Sequence, residues 1–151
     1  MKSTRRFIIA LVLAAILFAL PATALAKRRV YRAEIVGSTP SSWSVINPRP
    51  SNDFAFQVFA NVATGVSLSV VLLDPAGSVI VQLCGDPAAV VAVCPYANGE
   101  LILDGLINSD LLSGVGFRGA GFRRALDAGQ ITISVLSAGA VVGSGVYIRL
   151  T

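Results

Sequence analysis

A chain of 151 residues with 54% hydrophobic residues, a mean hydropathy of +0.74 and no histidine excludes several activities before any motif is sought. Ser-His-Asp and Cys-His nucleophilic arrangements need an imidazole, and imidazole is the commonest group in proton relays near neutral pH. The formal charge of +4 comes largely from the first residues, and no aromatic-lined basic face or recognition motif accompanies it, so nucleic acid is not an expected partner.

Residues 1–26 read as an export signal. Lys2, Arg5 and Arg6 form a positive start, residues 7–20 are uninterruptedly apolar, Pro21 breaks the run, and Ala24-Leu25-Ala26 supplies a small-x-small cleavage pattern. Cleavage is expected between Ala26 and Lys27. A helix of 14 residues spans only about 21 Å against about 30 Å of bilayer hydrocarbon, so no stable membrane span is expected after processing. Arg5-Arg6 resembles a twin-arginine pair, but the surrounding motif is incomplete and the general secretory route is expected. Lys2, Arg5 and Arg6 leave with the signal, so nine of the 12 basic residues stay beside eight acidic ones, a formal charge of +1. The basic stretch 27–32 then lies at the new N-terminus, where a solvated, frayed arm is expected, the alternative being an arm that touches an anionic envelope surface.

The mature chain suits one domain. Residues 27–52, an N-terminal strand and a Pro/Ser-rich loop, belong to the same domain as the β region 31–151. Tyr31, Ala33 and Ile35 alternate with Arg32 and Glu34, the period of a half-buried strand. Residues 37–52 hold Pro40, Pro48 and Pro50 and read as an ordered loop, with Trp43 as a lid over a sheet edge or, alternatively, a ligand-stacking residue. Phe54, Phe56 and Val58 share one face of the next strand. Residues 66–83 read as a hairpin turned at Asp74-Pro75-Ala76-Gly77, where Pro75 presets φ. Cys84 and Cys94 are the only cysteines. An even count in an exported chain predicts a structural disulfide, whereas a redox or metal role needs C-x-x-C spacing or further ligands.

A strand over 99–107 follows. Gly114, Gly116, Gly119 and Gly121 mark a flexible connection, with no Gly-Lys-Ser/Thr of a phosphate loop after them. Residues 122–128 carry the one helical look, ended by Gly129. Strands over 130–137 and 141–150 close the chain. Short strands, frequent turns and no long amphipathic helix predict an all-β fold: an antiparallel sandwich or barrel, Ig-like or superoxide-dismutase-like, with one short helical turn.

Several phrases resemble those of the CHRD (chordin-type) domain family. They are Asn61-Val62-Ala63-Thr64-Gly65-Val66 leading to Asp74-Pro75-Ala76-Gly77, then Ala128-Gly129-Gln130-Ile131, then Gly143-Ser144-Gly145. The likeness covers most of residues 31–150 and is best in the second half. Spacing and turns agree, but the family's most recognisable polar residues are missing. Its His-x-His pair falls on Val70 and Leu72, and a further histidine falls on Leu136. The resemblance implies a degenerate member in which that polar cluster has become core packing. No transition metal and no cofactor are expected.

The remaining polar residues give little chemistry. Asp104 and Asp110 lack the spacing of a calcium loop. Arg118, Arg123 and Arg124 are either a small anion-binding patch or the exposed side of the short helix. The expected function is therefore a non-enzymatic binding or structural module, secreted or periplasmic, with another envelope or extracellular protein as partner. The alternative is a metal-dependent or redox domain that uses carboxylate ligands; three or more clustered acidic side chains in a pocket would favour it.

Overall fold

The computed structural model describes residues 29–37 and 41–151. The expected signal segment, the expected cleavage between Ala26 and Lys27, and the basic residues Lys27 and Arg28 lie outside the described residues.

Alternating inward and outward side chains build the first strands, β1 (Val30–Gly37), β2 (Ser42–Pro48) and β3 (Phe54–Asn61). The predicted hairpin is β4 (Ser69–Leu73) and β5 (Val79–Cys84). Its turn is fixed by the Asp74 carboxylate, which accepts from the amides of Ala76 (2.9 Å) and Ser78 (2.8 Å), and by Gly77 at φ +82°. A short β6 (Tyr96–Ala97) and β7 (Glu100–Ile107) follow. Then come two helices, α1 (Ser109–Gly114) and α2 (Gly119–Asp127), and the strands β8 (Thr132–Ser137), β9 (Ala140–Val146) and β10 (Ile148–Leu150).

The strands form one antiparallel sheet in the order β5-β4-β8-β9-β1-β2-β3-β7-β6, with β10 also beside β1. Its curl originates in β1, which changes partner along its length. Tyr31 pairs with Arg149 of β10 on one side and Ile46 of β2 on the other, whereas Val36 and Gly37 pair with Ser144 and Gly143 of β9. The two halves thus close over a common core as a curled half-barrel. The all-β expectation holds.

Three local expectations are corrected. The predicted loop contains β2, because its inward residues are Ser42 and Ser44 as well as Ile46; a strand with hydroxyls inside lacks the apolar alternation that betrays one. Trp43 accordingly sits within that strand, stacked on Phe59 of β3 at 6.1 Å between ring centroids, rather than over an edge. Among the described residues two helices replace the single turn. Asn108 caps α1 by accepting from the Leu111 amide at 2.8 Å, and α2 absorbs Gly119 and Gly121, two of the glycines expected in a flexible connection. Gly119 belongs there because its backbone meets Asn52, 2.7 Å from where a Cβ would stand. The last strand is also split, at Tyr147, whose side chain turns fully inward.

Cys84 and Cys94 are joined in a disulfide, with Cα atoms 5.0 Å apart. The bridge holds the connecting loop against the free edge of β5: the amides of Val90 and Val91 donate to the carbonyls of Gln82 and Leu83. An edge strand that would otherwise offer unpaired backbone groups is covered by its own chain. Replacing both cysteines with alanine is expected to cost about 2.7 kcal/mol in loop-closure entropy. Urea unfolding of the double variant beside the oxidised parent checks this; equal midpoints would contradict it.

Candidate functional site

Val70 and Leu72 are wholly buried. Register sets them against Val135 and Ile133 of β8 and against Cys84 and Val81 of β5. Leu136 does not join them. It pairs with Ser69, so it lies on the opposite face of the sheet, and it is half-buried. Successive residues of a strand point to opposite faces, and the core face of β8 is carried by Ile133 and Val135. The three positions singled out in the sequence therefore do not converge on one site.

Among the described residues the interior contains a buried side-chain polar pair. Tyr147 is completely buried, and its phenol oxygen lies 2.6 Å from the Ser44 hydroxyl, which also donates to the Gln57 carbonyl at 2.9 Å. Burial pushes the Tyr147 phenol well above its ordinary range, while the bond to Ser44 partly offsets the shift. A neutral, solvent-excluded phenol acts here as a structural hydrogen-bonding group. The Tyr31 phenol is also raised, by burial and then by the Asp127 carboxylate, which accepts a hydrogen bond from its O–H at 2.7 Å.

Both shifts have the same consequence for stability. A phenol whose folded pKa exceeds the unfolded value of 10.0 favours the fold fully below pH 10, and that contribution is lost as pH rises through the folded value. Unfolding free energy is expected to be flat between pH 8 and about 9.5 and to fall above about pH 10. Tyr147→Phe is expected to lose about 1 kcal/mol at neutral pH and to blunt the alkaline decline. An identical pH profile for variant and parent would contradict this.

The charged residues are used at separate places. Asp127 pairs with Arg29 at 2.9 Å and with Arg149 at 3.9 Å, which ties the start of β1 to the end of α2 and to β10. Arg29 is thus docked rather than frayed. Arg32 is engaged as well: its Nε donates to Glu34 at 2.7 Å and its guanidinium lies 5.7 Å from the Trp43 ring centroid. Exposed pairs of this kind contribute only about 0.2–1 kcal/mol each. The predicted arginine group is divided by function. Arg123 lies over Phe54 at 6.0 Å and donates to the Arg49 carbonyl, Arg118 is the N-cap of α2, and Arg124 is in its last turn. Asp104 sits on β7 and Asp110 in the first turn of α1. Among the described residues no three His, Cys, Asp or Glu side chains gather as a metal site would require.

An extended surface of aromatic, aliphatic and charged side chains is the outer face of β1, β2, β3 and β7. Their registers place side chains in rows. One runs Glu34–Trp43–Phe59–Ile102, the next Arg32–Val45–Gln57–Asp104, and a third Asn47–Ala55–Leu106. Ile148 of β10 extends the middle row beside Arg32. Ile102, Leu106 and Ile148 are 58%, 45% and 61% exposed. A pleated surface this rich in aliphatic and aromatic groups is costly to leave in water, and contiguous patches of a few hundred Å² commonly mark interaction sites. Sequence reasoning named Arg32, Glu34, Trp43 and Asp104 for separate reasons and did not single out Val45, Phe59, Ile102 or Leu106, because the strand that supplies Trp43 and Val45 was hidden by its serines and prolines.

No protein-family model, no curated protein and no solved structure matches this chain.

Proposed function

We propose that this chain is an exported, non-enzymatic β domain of the CHRD type that works by binding another molecule on the outer face of β1, β2, β3 and β7. The observation that carries the reading is the Trp43–Phe59 stack with exposed Ile102 beside it, and with exposed Leu106 and Ile148 on the same outer face of the sheet. Aromatic residues presented on strands supply large, stiff contact area at low entropic cost. The carboxylates support the same reading. Asp53 serves Ser51 and the Ser109 amide, Asp74 its own turn, Asp86 the Ala88 amide, and Asp127 an ion-pair cluster. Each of these four is committed to holding the fold, Asp53 and Asp127 across long separations in sequence, and they are not gathered as a metal-dependent or redox domain needs. The disulfide fits an oxidising compartment outside the cytoplasm.

Radical footprinting tests the proposal. Trp43 and Phe59 are expected to be strongly labelled in dilute purified protein and protected in the envelope fraction of producing cells. Equal labelling in both preparations would overturn it.

A further inference from the structure

We propose that the occupant of this outer face is a second copy of the same chain, packed face to face about a two-fold axis that runs along the strands between β2 and β3. The inference rests on the reading of that face as a binding surface and names its partner. Such an axis lies parallel to the sheet plane and exchanges strands at equal distances on either side: β2 comes to face β3 of the other copy, and β1 comes to face β7. Within the middle row, Arg32 lies on β1 and Asp104 on β7, with Val45 and Gln57 between them. The operation therefore sets Arg32 of each copy over Asp104 of the other, forming two equivalent ion pairs. The row above it sets Trp43 against Phe59 across the axis. An isologous interface requires this kind of self-complementarity.

Charge and area agree with the geometry. Asp104 is exposed, and its carboxylate has no side-chain partner among the described residues. Arg32 gives only its Nε to Glu34, which leaves further N–H donors on the guanidinium for a second carboxylate. Four strands about 4.8 Å apart and three rows of side chains cover roughly 19 Å by 20 Å, so two copies bury on the order of 800 Å² in all. That lies in the range of weak, transient associations. The dimer is accordingly weak, with a Kd on the order of micromolar. Sheets packed in this way keep their strands aligned to within about 30°, as an axis parallel to the strands permits.

Sedimentation equilibrium of the mature protein, with charge-reversed variants, provides the test. The parent is expected to dimerise at micromolar concentration. Arg32→Asp alone and Asp104→Arg alone each place like charges together twice and are expected to be monomeric, with unchanged circular dichroism showing that they fold. Mixed in equal amounts, the two variants are expected to form a heterodimer, because each copy then meets an opposite charge at both contacts. A parent that stays monomeric at high micromolar concentration would overturn the inference. So would single variants that still dimerise, or a mixture that does not recover. Trp43 protection in the envelope fraction alongside a monomeric parent would leave the binding surface standing and remove only the second copy as its occupant.

Discussion

Leu72→Asp is expected to unfold the protein at physiological temperature. Leu72 has no exposed surface and lies between Ile133 and Val81 in the ladder. A carboxylate there must either lose its hydration or take up a proton, at a cost of several kcal/mol beyond the lost apolar packing. A domain of this size has only about 5–15 kcal/mol in total, so the folded population collapses. Leu136→Asp, one strand away but on the opposite face, is expected to cost about 1 kcal/mol or less. Urea denaturation of the two variants side by side is the check. Similar losses from both would mean that the faces of β4 and β8 are wrongly assigned.

Gly145→Val is expected to be the second most damaging change, at about 3 kcal/mol. A Cβ at Gly145 would stand 2.1 Å from the Glu34 carbonyl oxygen, and Gly37 meets the Val142 carbonyl as closely, at 2.2 Å. These glycines lie where β1 leaves one half of the sheet and joins β9. The obstruction is backbone on both sides, so no side chain can swing away. Gly77→Ala isolates the other reason for a glycine, since nothing lies within 4 Å of its Cβ position. Only its left-handed φ is strained, at a cost of about 1 kcal/mol. Thermal melts of both variants separate crowding from conformation, and equal shifts would contradict the close approach.

The sequence made the interior legible wherever a strand was apolar on one side. Tyr31, Ala33 and Ile35, and likewise Phe54, Phe56 and Val58, are buried as their alternation predicts. Asp74-Pro75-Ala76-Gly77 forms its turn because the side chain and the backbone preferences of those four residues act within the tetrad itself. Reading failed where long-range partners decide. Ser44 is buried because Tyr147, 103 positions away in sequence, supplies its hydrogen bond; nothing local to 42–48 announces that. The helix at Ser109–Gly114 depends on Asp53, whose carboxylate accepts from the Ser109 amide at 3.1 Å across a separation of 56 residues. The outer face was illegible for the same reason. Trp43, Phe59 and Ile102 become neighbours only once three strand registers are fixed, and a one-residue slip in any of them would turn its contribution inward.

Photo-crosslinking in producing cells tests most directly the claim that this face, rather than any interior chemistry, is the working part of the molecule. A photoreactive phenylalanine analogue replaces Val45 at the centre of the face in one variant and Thr132, in the other half of the sheet, in a second. The account predicts a discrete crosslinked species from position 45 and none from position 132. No adduct at position 45, or equal adducts from both positions, would contradict it.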